Sequence, residues 1–202
     1  FINVLYLYLY LQKIKKTAMY LKKLLSLLII FITSSTLFAQ CPDPSNDSTP
    51  PTAVCQDITV QLDANGTVSI TAADIDGGST DNCGIASLNA TISSFDCGDL
   101  GANTVSLFVI DTNGNPAGCT ATVTVEDNIS PSIAGMPSSQ TLNVVSGTCG
   151  AVATWTEPTA SDNCSVTLTS SHDSGDTFPL GETTVTYTAT DGSTNVTTAT
   201  FT

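Results

Sequence analysis

The tripeptide Asp81-Asn82-Cys83 returns as Asp162-Asn163-Cys164, and an acid beside a thiol could serve three chemistries. These are an activated nucleophile, a metal site, and a turn leading into a disulfide. A nucleophilic thiol needs a base, and the chain's single histidine, His172, is far from Cys83 in sequence. His172 itself lies in SSHDSG, beside Ser170, Ser171, Asp173 and Ser174, which supplies every residue type of a hydrolytic triad. Triad members converge from different elements, whereas neighbours on one strand point to opposite faces. The stretch therefore reads as structural. Zinc is poorly served by one histidine and no Cys-x-x-Cys pair. What remains is a hard cation held by oxygen, or a turn that hands its cysteine to a disulfide.

Charge sharpens that choice. All five basic residues, Lys13, Lys15, Lys16, Lys22 and Lys23, precede every one of the eighteen Asp and Glu residues. Met19 opens a basic stretch, then the apolar run LLSLLIIFITSSTLF, then Ala39-Gln40, the pattern of a secretory signal over residues 19–39. The run is too short and too broken by Thr and Ser to span a bilayer. Residues 1–18 read as an upstream or extended n-region. The mature chain then has no Lys or Arg and cannot form one salt bridge from them. Its acidic surface repels nucleic acid and anionic membrane, and divalent cations are the natural compensation where acids cluster. Seven cysteines behind a secretory signal point to an oxidising compartment, with a secreted or cell-surface location.

These residues must be positioned by a unit written twice. With a shift of about 80 residues, LGANTV at 100–105 meets LGETTV at 180–185, Pro51 meets Pro131, and the two Asp-Asn-Cys triplets fall nearly in register. A Pro- and Ser-rich linker (residues 40–51) precedes a first repeat (52–127) and a second (131–202). Apolar residues alternate in both, as in Val105, Leu107 and Val109, or Val185, Tyr187 and Ala189. That is the period of half-buried strands. Leu142 with Val144 reads as a further row. Turns such as Asn65-Gly66 and Asn113-Gly114-Asn115 separate the rows. The expectation is all-β, two tandem antiparallel β-sandwiches preceded by a signal-peptide helix. Trp155 alternates with Ala151 and Ala153, which leave room for an indole in a core, so Trp155 and Tyr187 read as core rather than a sugar platform.

The cysteines suggest pairs. At a shift of 80, Cys55 and Cys119 face Gly135 and Ala199, so both are missing from the second repeat together, as bonded partners would be. The remainder then pair as Cys83 with Cys97 and Cys149 with Cys164, each closing a short loop worth roughly 3 kcal/mol of chain entropy. Cys41 is left as a linker thiol or an intermolecular bridge. The Asn-x-Ser/Thr triplets, such as Asn89 and Asn163, follow from a Thr- and Asn-rich composition and would carry glycans only in a eukaryotic secretory pathway.

Four signatures in the second repeat fall in order: Gly147-Thr148-Cys149-Gly150, Trp155 with Pro158, Asp162-Asn163-Cys164, and Phe178-Pro179-Leu180-Gly181. In these the repeat resembles the hyalin repeat, or HYR domain, an immunoglobulin-like module of adhesive extracellular proteins. Met136 and Ala199 stand where that family usually has cysteines, which implies that its outer disulfide is absent and its terminal strands are looser. The first repeat is similar to HYR-like repeats of Bacteroidetes surface proteins, whose signals often end in Phe-Ala-Gln, as Phe38-Ala39-Gln40 does. VEDNISP at 125–131 resembles the calcium-stiffened linkers of cadherins. In a sandwich the Asp162 and Asp191 loops share the pole where that linker arrives. Glu126, Asp127, Asn128, Asp162 and Asp191, with Asp99 from the first repeat, are therefore the candidate calcium ligands.

The resemblance implies a non-enzymatic adhesion or spacer segment of a longer surface protein that requires no cofactor, with calcium at the joint as the one candidate ion. Its partners would be neighbouring repeats and an extracellular protein or glycan, with no nucleic acid and no membrane span in the mature chain. The chain ends in what should be its last strand, so further sequence is expected. The alternatives are an accessory module of a secreted enzyme whose catalytic domain lies beyond Thr202, and a carbohydrate-binding module.

Overall fold

A computed structural model describes Cys41 and residues 45–202. The signal-peptide expectation, with that for residues 1–18, lies outside the described residues. Residues Pro50–Thr202, which hold both repeats, form one compact unit, distinct from Phe1–Thr49. Among the described residues every regular element is a strand or a short 3-10 turn, so the fold is all-β.

The first repeat comprises β1 (Ile58–Gln61), β2 (Thr67–Ser69), β3 (Ile85–Ala90), β4 (Ser94–Asp96), β5 (Gly101–Asp111) and β6 (Pro116–Glu126). One sheet runs β1-β6-β5-β3, and β2 pairs with β4 in a second. This is an immunoglobulin-like layout, in which β1 to β5 alternate between the two sheets and β6 returns between β1 and β5. The second repeat contains β7 (Ser132–Ala134), β8 (Gly150–Val152), β9 (Thr159–Ser161), β10 (Val166–Ser170), β11 (Thr177–Pro179), β12 (Val185–Asp191) and β13 (Val196–Phe201). Its sheets are β10-β12-β13, β11-β8 and β7-β9.

One pairing departs from the antiparallel expectation: β1 lies parallel to β6, with Ile58 opposite Val123 and Gln61 opposite Glu126. First and last strands of a repeat can run the same way because the rest of the repeat forms the crossover between them.

The alternation seen in the sequence does the packing. Val105, Leu107 and Val109 on β5, and Val123 on β6, are wholly buried and form one core with Leu62, Ile75 and Phe95. The second core is smaller, built on Val185, Tyr187 and Phe201 with Trp155, Phe178 and Met136 against them. Trp155 stacks edge-on to Phe201 at 5.1 Å, and its Nε1 donates to Tyr187 Oη at 2.6 Å. Tyr187 in turn donates to Glu157. Burial, then Glu157, hold that phenol above its ordinary range. The expected row at Leu142 and Val144 forms no strand, and Leu142 is exposed. It has no ladder partner; the segment is tied to the residue that follows β13, with Gln140 N donating to Thr202 O at 2.8 Å.

Candidate metal centre

The two Asp-Asn-Cys triplets are Asx turns. Asp81 Oδ1 accepts from Cys83 N at 2.7 Å, and Asp162 Oδ2 accepts from Cys164 N at 3.1 Å. In each case the acid fixes the backbone that presents the cysteine. The partners of those cysteines differ from the expectation. Cys55 and Cys119 are joined, with Cα atoms 5.8 Å apart. Cys97 bonds to Cys164, at a Cα separation of 5.7 Å, so a disulfide crosses from the first repeat to the second. Cys83 is disulfide-bonded, but not to Cys97, and Cys149 is a free, exposed thiol rather than the partner of Cys164. Cys41 is also in a disulfide, so it is not a linker thiol.

Strand register explains the correction. Ile85, just after Cys83, lies opposite Asp111 at the end of β5, while Cys97 closely precedes Gly101 at its start. Eleven residues of strand place those poles about 30 Å apart, far beyond the reach of a disulfide. In the second repeat Val166, just after Cys164, lies opposite Asp191, whereas Gly150, next to Cys149, pairs with Pro179 on the way into Val185 at the other end of β12. Proximity in sequence gave the wrong partner in both cases. One signal was available: pairing Cys83 forward and Cys164 backward gives equivalent residues opposite directions, which tandem equivalence disfavours.

The Cys97–Cys164 pole is also where the acids gather. Asp191 ends β12 and clamps the turn that follows: Oδ1 accepts from Asn195 N at 2.8 Å and Oδ2 from Asn195 Nδ2 at 2.7 Å. Asn195 Nδ2 also donates to the linker carbonyls of Asp127, at 2.9 Å, and Ile129, at 3.3 Å. Asp127 Oδ1 accepts from Ile129 N and from Asn163 Nδ2, both at 3.1 Å, and Asn163 Nδ2 reaches the first repeat at Asp63 O, 3.2 Å away. One carboxylate oxygen from each of Asp127, Asp162 and Asp191 lies within 4.8 Å of the others. Asp127 and Asp191 are only 4% and 7% exposed. Asp127 Oδ2, Asp162 Oδ1 and Asn163 Oδ1 are buried without a hydrogen-bond partner.

The other expected ligands stand apart. Glu126 accepts from Gln61 Nε2 at 2.7 Å, and Asn128 donates to Gln61 Oε1 at 2.6 Å, on an exposed face set by the parallel β1–β6 pairing. Asp99 Oδ2 accepts from Asp96 N at 2.9 Å, in a capping box that closes the 3-10 turn bearing Cys97. A carboxylate that close in sequence to free backbone amides is captured by them. Asn163, the middle residue of the second Asp-Asn-Cys triplet, and Asn195, which has no motif of its own, orient the acids, and neither is among the expected ligands. His172 Nδ1 lies 3.0 Å from Ser171 Oγ, its direct neighbour, and its ring packs on Phe178 at 5.2 Å. Asp173 N is bonded to Asp176, and among the described residues no carboxylate bonds the imidazole, so no triad is assembled.

Comparison with known proteins gives a match to the HYR domain family over residues 126–202, the stretch that starts at the linker and carries all three clustered acids. Residues 126–202 are a HYR domain. Hyalin of Strongylocentrotus purpuratus is 36% identical over 165 residues, covering 78% of this chain and 14% of that protein. Hyalin of Lytechinus variegatus is 36% identical over 164 residues, covering 77% of this chain and 31% of its own length. Both alignments are longer than the HYR domain and so extend into the first repeat. A rat protein named for its sushi, von Willebrand factor type A, EGF and pentraxin domains is 41% identical over 98 residues, 48% of this chain and 3% of that protein. The chain thus spans under a third of these relatives. Within the HYR domain, Met136 packs against the core and Ala199 pairs with Tyr187, at the two positions where the resemblance led one to expect cysteines.

Proposed function

We propose that this chain is a segment of an extracellular, non-catalytic adhesion-type protein in which tandem β-sandwich repeats serve as a spacer with a stiffened joint, calcium adding to that stiffness. The observation that carries this is the Cys97–Cys164 disulfide between repeats. A covalent bond closing a loop of this length removes about 4 kcal/mol of unfolded-chain freedom, and placed across a joint it also restricts hinge motion. The kinship with hyalins supports the reading, and the disulfides fit a secreted or cell-surface location. No helix among the described residues is long and apolar enough to cross a membrane. Neighbouring repeats and an extracellular protein or glycan are the partners this reading implies. A sugar platform on Trp155 is disfavoured, because the indole packs on Phe201 and its nitrogen is spent on Tyr187.

Small-angle scattering on the oxidised full chain, beside a Cys97→Ser/Cys164→Ser variant, tests the joint. The variant is expected to broaden the distance distribution. Superimposable curves would remove the disulfide as the source of stiffness and the spacer reading with it.

A further inference from the structure

We infer that Asp127, Asp162, Asn163 and Asp191 form a calcium site at the linker edge of the HYR domain. Acids in a group are not by themselves a site, and two independent features carry this one. The first is Asp127: at 4% exposure it keeps Oδ2 without a donor, while its other oxygen is fixed by Ile129 N and Asn163 Nδ2. A buried carboxylate oxygen lacking a donor is costly unless a cation meets it. The second is the neutral side chain of Asn163. Its amide nitrogen is used twice, on Asp63 O and Asp127 Oδ1, which leaves its Oδ1 buried and unpartnered beside the acids. A turn or a proton-sharing pair of acids would not need that oxygen.

The ligand chemistry follows from the donor set. Asp127 Oδ2, Asp162 Oδ1, Asn163 Oδ1 and an oxygen of Asp191 are hard donors, with no nitrogen or sulfur among them. Calcium takes six to eight oxygens in a tolerant geometry, part of them from water, whereas magnesium demands a near-ideal octahedron. These carboxylates are already fixed by backbone and Asn195 contacts, which suits the tolerant ion. Every Lys precedes residue 24, outside the described residues, and the chain has no Arg, so no ammonium or guanidinium from this unit can take the ion's place.

The first repeat repeats the plan. Asp81 and Asp111 occupy the positions of Asp162 and Asp191, bring carboxylate oxygens within 4.8 Å, and leave Asp81 Oδ2 buried without a partner. Asp111 is clamped by Asn115 as Asp191 is by Asn195. Two copies of one arrangement, drifting in sequence elsewhere, fit a shared use better than chance turns.

The inference deepens the stiffened-joint reading and rests on it only for its mechanical meaning; binding itself is read separately. The full chain is stripped with chelator, then titrated with calcium chloride to about 10 mM, beyond the range of weak extracellular modules. Calorimetry reads binding and scanning calorimetry reads Tm. At a hundredfold excess over Kd the wild type is expected to gain about 5–10 °C. Asp127→Asn, nearly isosteric, is expected to weaken the Asp127-dependent site at least tenfold. In chelator the same variant should melt no lower than wild type, because it removes a repelling buried charge. A purely structural Asp127 would instead destabilise equally in both buffers, and that result overturns the inference, as does a wild-type Tm indifferent to calcium. Asp162→Asn gives the same reading should Asp127→Asn fail to fold, and Glu126→Gln should respond as wild type. Rigid scattering without calcium binding would leave the spacer reading standing and sink this one.

Discussion

Gly66 looks like an ordinary turn glycine in the sequence, yet Gly66→Ala should be among the most damaging small changes in the chain. Its φ is +73°, where an alanine costs roughly 1–2 kcal/mol. A Cβ there would also lie 2.6 Å from Asn163 O and 2.7 Å from Cys97 Sγ. Neither neighbour is the free end of a flexible side chain: one is backbone of the second repeat, the other half of the disulfide joining the repeats. Overpacking of this kind adds about 1–3 kcal/mol, for a total near 2–5 kcal/mol. For a unit of this size each kcal/mol moves Tm by about 2–4 °C, so a drop between about 4 and 20 °C is expected. Gly114→Ala separates the two contributions, since Gly114 has φ +90° and nothing within 4 Å of its would-be Cβ. It should lose only the backbone part. Scanning calorimetry of both variants, with non-reducing peptide maps for the Cys97–Cys164 bond, makes the comparison. Equal melting of the two, with that bond fully formed in Gly66→Ala, would refute the claim that this turn seats the joint.

Other consequences follow from the same contacts. Thr194 holds φ +71° at the position where the first repeat has Gly114, so Thr194→Gly should stabilise the chain by about 1 kcal/mol, visible as a Tm rise of about 2–4 °C; no rise would mean the turn is not strained. Tyr187→Phe strips Trp155 Nε1 of its acceptor and Glu157 of its donor and should cost about 1–3 kcal/mol in urea unfolding, whereas a variant within error of wild type would show that the pair is solvated. Low pH should unfold the protein through its turn acids. Amides of Thr67 and Asn65 lower the pKa of Asp63, the Thr71 amide that of Asp74, and the Ser79 hydroxyl that of Asp76. At Asp111 burial pushes upward, but the Asn115 side chain and turn amides outweigh it. A folded pKa below the unfolded value near 3.9 means stability that is present at neutral pH and lost as pH falls through the folded value. Tm should be flat from about pH 8 to 5 and fall below about pH 4; a flat profile to pH 2 would contradict it.

Much of the architecture is legible in the chain because strand burial has period two and a repeat has a period of its own. Alternation at Val105, Leu107 and Val109, and at Val185, Tyr187 and Ala189, is enough to predict half-buried strands, and all six residues are buried. The tandem register is enough to place Asp162 and Asp191 at the pole that receives the linker, since loops at one end of a sandwich converge whatever their separation in sequence. The joint absence of counterparts to Cys55 and Cys119 from the second repeat, where Gly135 and Ala199 stand, is a covalent fact written in sequence.

Contacts between the repeats are of another kind. Cys97 meets Cys164, and Asn163 meets both Asp63 and Asp127, because two poles face each other, and that depends on the direction in which β5 and β12 carry the chain. Loop entropy favours short closures by an amount that varies only logarithmically with length. A strand of eleven residues separates two cysteines by a distance that no such preference can overcome. Likewise Asp99 and Glu126 are acids at the joint by sequence, but nearby amides and Gln61 claim them first. Composition and spacing determined which residues could serve the joint; only the fold, through register and polarity of the strands, decided which of them arrive there.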